Sequence, residues 1–212
     1  MSRVNETRTV RWERRPADAV AAGVGVLTLA AGMLAVRDES VSSLEERVFE
    51  AVNDLPDALY PVLWPFQQLG ALLMGPLVVI VVAITRRFRL AFAALFATVA
   101  KLVLERVVKA MVTRERPGTS IGPDIHIRGD VHAEGESFVS GHAILVTALA
   151  GILTPYVRGR WKMVPGLIVA VVMFGRIYVG AHNPLDVVCG AGLGLAIAGC
   201  CNLAVGVPGS ST

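Results

Sequence analysis

Histidines, lysines and arginines recur in the second half of this 212-residue chain at spacings suited to holding and attacking an anion. Lys109 is followed by Arg114, Arg116 and Pro117, and the proline ends the helix that carries the lysine. Ser140-Gly141-His142 opens one apolar run; Arg176, His182 and Asp186 stand between two others. Lys109, Arg116 and Arg176 can surround a phosphate, because guanidinium forks and an ammonium match its oxygens. Where Ser140-Gly141-His142 starts a helix, free backbone N–H groups and the positive dipole end point at the same anion.

Asn183-Pro184 has the form of a helix start, with Asn183 as N-cap and Pro184 in the first turn. That places Asp186 one turn from His182. The carboxylate can then accept a hydrogen bond from one ring nitrogen and leave the other unprotonated toward the phosphate, which is the orienting logic of a catalytic triad. His182 becomes a candidate nucleophile and His142 a candidate general acid for the leaving alkoxide.

The elements that must position these groups are membrane spans. Hydrophobic residues make up 54% of the chain and charged residues only 17%, with a mean hydropathy of +0.59, against about 25% charged in a soluble domain. One compact all-α domain in a bilayer is expected, and no clustered basic face suits a nucleic acid. Six apolar runs approach the roughly 20 residues that a span needs: 17–36, 58–85, 90–112, 140–157, 161–179 and 184–207. Pro61, Pro65 and Pro76 kink or break the second. Residues 1–16 form a basic tail, 17–207 the membrane domain and 208–212 a short end.

Eleven Lys and Arg fall in the N-terminal tail, at 86–89 and at 158–162, whereas residues 37–57 hold two against seven carboxylates. The positive-inside rule therefore puts both termini in the cytoplasm and the histidines at the outer face. In 41–55, Val41, Leu44, Val48, Val52 and Leu55 oppose Glu45, Glu46, Arg47 and Glu50, a pattern for a helix lying flat on the outer leaflet. On the third span Lys101, Glu105 and Lys109 share a face and can pair. Loop 118–139 carries His126, His132 and four carboxylates without a recognisable metal spacing, so it is expected to cover the site, with Arg128 or His132 reaching the far part of a substrate. Cys189, Cys200 and Cys201 fall in a single run, too close for a disulfide framework.

The strings Lys109-x6-Arg116-Pro117, Ser140-Gly141-His142 and Arg176-x5-His182-x3-Asp186 resemble the signature of the type 2 phosphatidic acid phosphatase superfamily, membrane lipid phosphatases related to vanadium haloperoxidases. The resemblance covers residues 109–186 by motif. It implies a six-span helical bundle that removes phosphate from a lipid phosphate or isoprenyl diphosphate without cofactor or metal. It assigns phosphate binding to Lys109, Arg116, Ser140, Gly141 and Arg176, a phosphohistidine to His182, proton donation to His142 and orientation of the nucleophile to Asp186. Val139 stands where the family commonly has proline, and Gly175 where it commonly has serine. The same residues would serve a phosphotransferase with an acceptor other than water. A non-catalytic anion transporter is a more distant alternative, disfavoured by the lack of repeated broken spans.

Overall fold

A computed structural model describes residues 11–132 and 134–209. Nine α-helices account for most of it: α1 (Pro16–Ala35), α2 (Ser43–Asn53), α3 (Tyr60–Gln68), α4 (Met74–Ile84), α5 (Phe88–Met111), α6 (Pro117–Ser120), α7 (Gly141–Leu153), α8 (Met163–Tyr178) and α9 (Pro184–Val205). Three helical stretches are long and apolar enough to cross a membrane: Pro16–Ala35, Gly159–Tyr178 and Pro184–Val205. Met74–Ile84 and Gly141–Tyr156 are apolar but shorter. Helix α5 is the longest, and Lys101, Glu105, Arg106 and Lys109 interrupt its apolar character.

The expected second span is two helices, α3 and α4, with the break at residues 69–73. No proline lies in the break itself; Pro65 is inside α3, and Pro76 is in the first turn of α4. The break brings Gly70 against the imidazole of α7, where an added Cβ would come within 2.9 Å of the His142 Cβ. Only a residue without a side chain fits there.

Helix α9 is the central element. Its glycines allow helices on two sides to approach at backbone distance, as small residues do in membrane bundles. A Cβ at Gly192 would meet Thr28 Cβ of α1 at 2.9 Å, and one at Gly190 would meet the Ser140 carbonyl at 2.7 Å. Cys189 and Cys201 are buried and Cys200 is exposed, all three as free thiols.

Two features lie outside the sequence expectation. Residues Trp12–Glu13 (β1) pair antiparallel with Val207–Pro208 (β2), joining the two ends of the chain. Arg3 and Arg8 of the expected basic tail lie outside the described residues. Helix α2, in turn, does not have a solvated acidic face at Glu45: Glu45, Phe49 and Asn53, spaced i, i+4, i+8, are the buried stripe, while Leu44 and Val48 are exposed. The reason is electrostatic, since Glu45 meets a buried arginine, described next.

Candidate active site

At one end of the bundle, α3 and the break after it, the C-terminal half of α5, the loop after it, the start of α7, the end of α8 and the turn before α9 line a cavity of about 590 Å³. Lys109, Arg116, Gly141, His142, Arg176 and His182 line it together with Lys101 and Glu105. Ser140 and Asp186 stand behind the wall and are fully buried.

Arg116 donates through Nη1 to the carbonyls of Ala181 at 3.0 Å and His132 at 3.3 Å, and burial lowers its pKa. Arg176 is 8% exposed, and its Nε has no hydrogen-bond partner among the described residues. Neither guanidinium forms an ion pair with a described carboxylate. Buried charge without a paired carboxylate is costly, and an anion placed here would offset that cost. Lys109 is different: Glu105 lies 3.7 Å from its Nζ and 2.6 Å from that of Lys101. The Glu105 carboxylate also leans over Gly141, where an added Cβ would be 2.6 Å from Oε1.

His182 sits in the turn between α8 and α9, 3% exposed. Burial pushes its pKa down to about 4, against the pull of Asp186, so the ring is neutral near pH 7. The Asp186 carboxylate is 3.8 Å from its Nδ1, longer than a hydrogen bond. Ser137 bridges the gap: its hydroxyl donates to Asp186 Oδ2 and lies 3.4 Å from His182 Nδ1. The link from Asp186 to the imidazole therefore runs through Ser137 instead of the direct bond expected from the spacing.

Asp186 is itself held from three directions. Its Oδ2 accepts the Asn183 backbone N–H at 2.8 Å, which caps α9, and its Oδ1 accepts Arg114 Nη1 at 2.9 Å. Arg114 is 1% exposed and makes two further bonds to Glu45, at 2.6 and 3.0 Å. Glu45 Oε1 also accepts the Leu185 N–H at 2.8 Å, so α2, the loop after α5 and α9 share one polar network. Burial opposes the charge on Arg114, but the two carboxylates outweigh it and its pKa is raised.

Two expectations about loop 118–139 divide. Asp130, Val131 and His132 do border the cavity. Arg128, however, is occupied as a clamp: its guanidinium donates to Asp57 Oδ1 and to the carbonyls of Asn53, Leu55 and Tyr178 at 2.7–2.8 Å, and lies 4.2 Å from the Tyr178 ring centroid. Four of its five N–H donors are used within the protein, although the residue also borders the cavity.

Where Gly175 departs from the family pattern, the space a serine side chain would fill holds the amide of Gln67 from α3, whose Cδ would be 2.7 Å from an added Cβ. Gln67 is buried and borders the cavity, so a polar group is present by another route.

A profile of the PAP2 superfamily matches residues 88–207. An undecaprenyl-diphosphatase of Sulfolobus acidocaldarius is 30% identical over 122 residues, 56% of this chain and 57% of that protein. The matched region thus spans little more than half the length of that relative. Two solved structures share the fold. Aquifex aeolicus LpxE superposes with a TM-score of 0.67 at 23% identity, covering 74% of this chain and 93% of its own. A transmembrane PAP2-type phosphatidylglycerolphosphate phosphatase of Bacillus subtilis does so at 0.68 and 24%, covering 86% and 94%. The matched stretch contains Lys101, Lys109, Arg116, Arg176, His142 and His182 of that cavity, and the chain belongs to the PAP2 superfamily.

Proposed function

We propose that this protein is an integral-membrane lipid phosphatase that removes a terminal phosphate from a lipid phosphate or polyisoprenyl diphosphate. The observation that carries it is the juxtaposition of a buried His182 with two guanidiniums, Arg116 and Arg176, that have no described carboxylate partner. Phosphoryl transfer needs little more than a positioned nucleophile and charge stabilisation.

The reaction is two in-line displacements. The His182 ring nitrogen not facing Asp186 attacks phosphorus while the bond to the lipid oxygen breaks, and His142 protonates that oxygen. Water then attacks the phosphohistidine, its proton passing to His142, and inorganic phosphate leaves with His182 restored. Arg116, Arg176 and Lys109 stabilise the negative charge on the equatorial oxygens, and the N–H groups at the start of α7, around Ser140 and Gly141, add to it. Asp186, through Ser137, fixes the tautomer.

The helices form six spans, with α3 and α4 together making the second. Both termini are cytoplasmic and the cavity opens at the outer face, on the charge bias of the loops. A cysteine in place of Glu134 is then labelled by an impermeant thiol reagent in intact cells, and one in place of Arg160 is not; the opposite pattern reverses the orientation. The catalytic proposal is tested with purified protein in detergent against phosphatidic acid, phosphatidylglycerol phosphate and a polyisoprenyl diphosphate, each with and without EDTA. Phosphate release from at least one, undiminished by millimolar EDTA, is expected. Loss on chelation with rescue by magnesium or zinc would overturn the metal-free mechanism.

A further inference from the structure

At the opposite end of α5 lies a second cavity, larger than the first at about 990 Å³. Its wall is assembled from the paired chain ends, the α4–α5 turn and the connection between α7 and α8. Arg86, Arg87, Arg89, Arg158 and Lys162 line it, with Glu13 as the carboxylate among the lining residues. None of those five cations forms an ion pair with a carboxylate among the described residues; Glu13 is approached by Arg11, at 3.8 Å.

Two of the cations are held face-on by rings. The Arg89 guanidinium is 4.5 Å from the Trp12 centroid and that of Arg87 is 5.7 Å from Tyr156. A cation–π contact of this kind does not satisfy the N–H donors by hydrogen bonding, so they remain for an anion. Arg86 ends α4 in the left-handed region, at φ 59°, where glycine is the easier residue. The turn holds a cation there nonetheless.

Below the cavity, α5 presents Phe88, Phe92 and Phe96 at i, i+4, i+8, exposed by 68%, 63% and 54%. From Phe88 to Lys109 the helix rises about 31 Å, one hydrocarbon thickness. The second cavity therefore lies at the other membrane interface, with an aromatic stripe running from it into the bilayer. We propose that it binds the phosphate-bearing head group of an anionic membrane lipid, whose acyl chains lie along Phe88, Phe92 and Phe96. A free phosphate would satisfy the cations but leave the stripe unused, and the charge attraction of several Lys and Arg to anionic lipid acts at this depth.

The test uses the full chain in detergent and short-chain phosphatidylglycerol, a phosphodiester, with phosphatidylcholine of the same chains and inorganic phosphate as comparisons. Binding is read by native mass spectrometry for the unaltered protein, the R87Q/R158Q double variant and the R116Q/R176Q double variant of the first cavity. Phosphatidylglycerol affinity is expected to fall about tenfold or more in R87Q/R158Q and to stay unchanged in R116Q/R176Q, while phosphatidylcholine binding is indifferent to both. Arg158→Glu, at an exposed loop position, carries the same expectation should the double variant not fold. Unchanged phosphatidylglycerol affinity in the second-cavity variants overturns the proposal. So does loss of binding in R116Q/R176Q, or inorganic phosphate binding the second cavity as tightly as the lipid.

Discussion

Of four arginines around His182, two are matched by carboxylates and two are not, among the described residues. Arg114 lies between Glu45 and Asp186, and Arg128 is enclosed by carbonyls and Asp57. Among the described residues, Arg116 has only carbonyl acceptors, and Arg176 keeps an unpartnered Nε. All four are arginines drawn in from the water to some degree. The difference teaches that arginine number says little about purpose: matched arginines join helices, and on the proposed function the unmatched ones receive the phosphate. Removing a member of the first group should cost stability, and removing one of the second should cost activity.

The largest expected effect falls on the reacting histidines. His182→Ala should abolish turnover of every substrate, activated aryl phosphates included. His142→Ala should lower turnover of an ordinary lipid phosphate by roughly 10²- to 10⁴-fold but recover much of its activity on an aryl phosphate, whose leaving group needs no proton. Phosphate release assays on both substrates decide this, and the reverse pattern would exchange the two roles.

Next comes the comparison itself. Arg114→Gln strands Glu45 and Asp186 as buried carboxylates, a loss of about 3–5 kcal/mol for a broken buried pair, and should lower the melting temperature markedly. Arg116→Gln removes a cation with no described ion-pair partner, so it should leave the melting temperature near that of the unaltered protein while lowering kcat/KM. Thermal unfolding in detergent beside the activity assay separates the two; equal destabilisation would erase the distinction.

The smallest effect is a titration. Because burial favours the uncharged ring, the His182 midpoint moves below the ordinary 6.5 to about 4. Ring ¹⁵N shifts of labelled protein, assigned with His182→Gln, should show no protonation as pH falls through 6.5 and a change only near 4. A midpoint at 6.5 would mean the imidazole is far better solvated than its surroundings indicate.

Much of this was legible in the sequence, for identifiable reasons. Long apolar runs declare spans because the bilayer sets their length, and Lys109, Arg116, His142, Arg176 and His182 declare a site by fixed spacing from helix ends. The network behind His182 was not legible. Arg114 and Glu45 are 69 positions apart, and Glu45 sits in a pattern that alone predicts a solvated face. Ser137 is an ordinary loop serine until the fold sets it between His182 and Asp186. The break in the second span was legible but its position at 69–73 was not, because no proline lies there and Gly70 packs against His142.

The central claim is that His182 is the nucleophile, and trapping the intermediate tests it most directly. Protein mixed with a ³²P-labelled lipid phosphate is quenched in alkali, where a phosphohistidine survives, and the labelled peptide is sequenced by mass spectrometry. Label on His182, stable in alkali, lost in acid and absent from His182→Ala, is the predicted result. Turnover without any trapped label, even in the His142→Ala variant where hydrolysis of the intermediate is slowed, or label on another residue, would contradict the account.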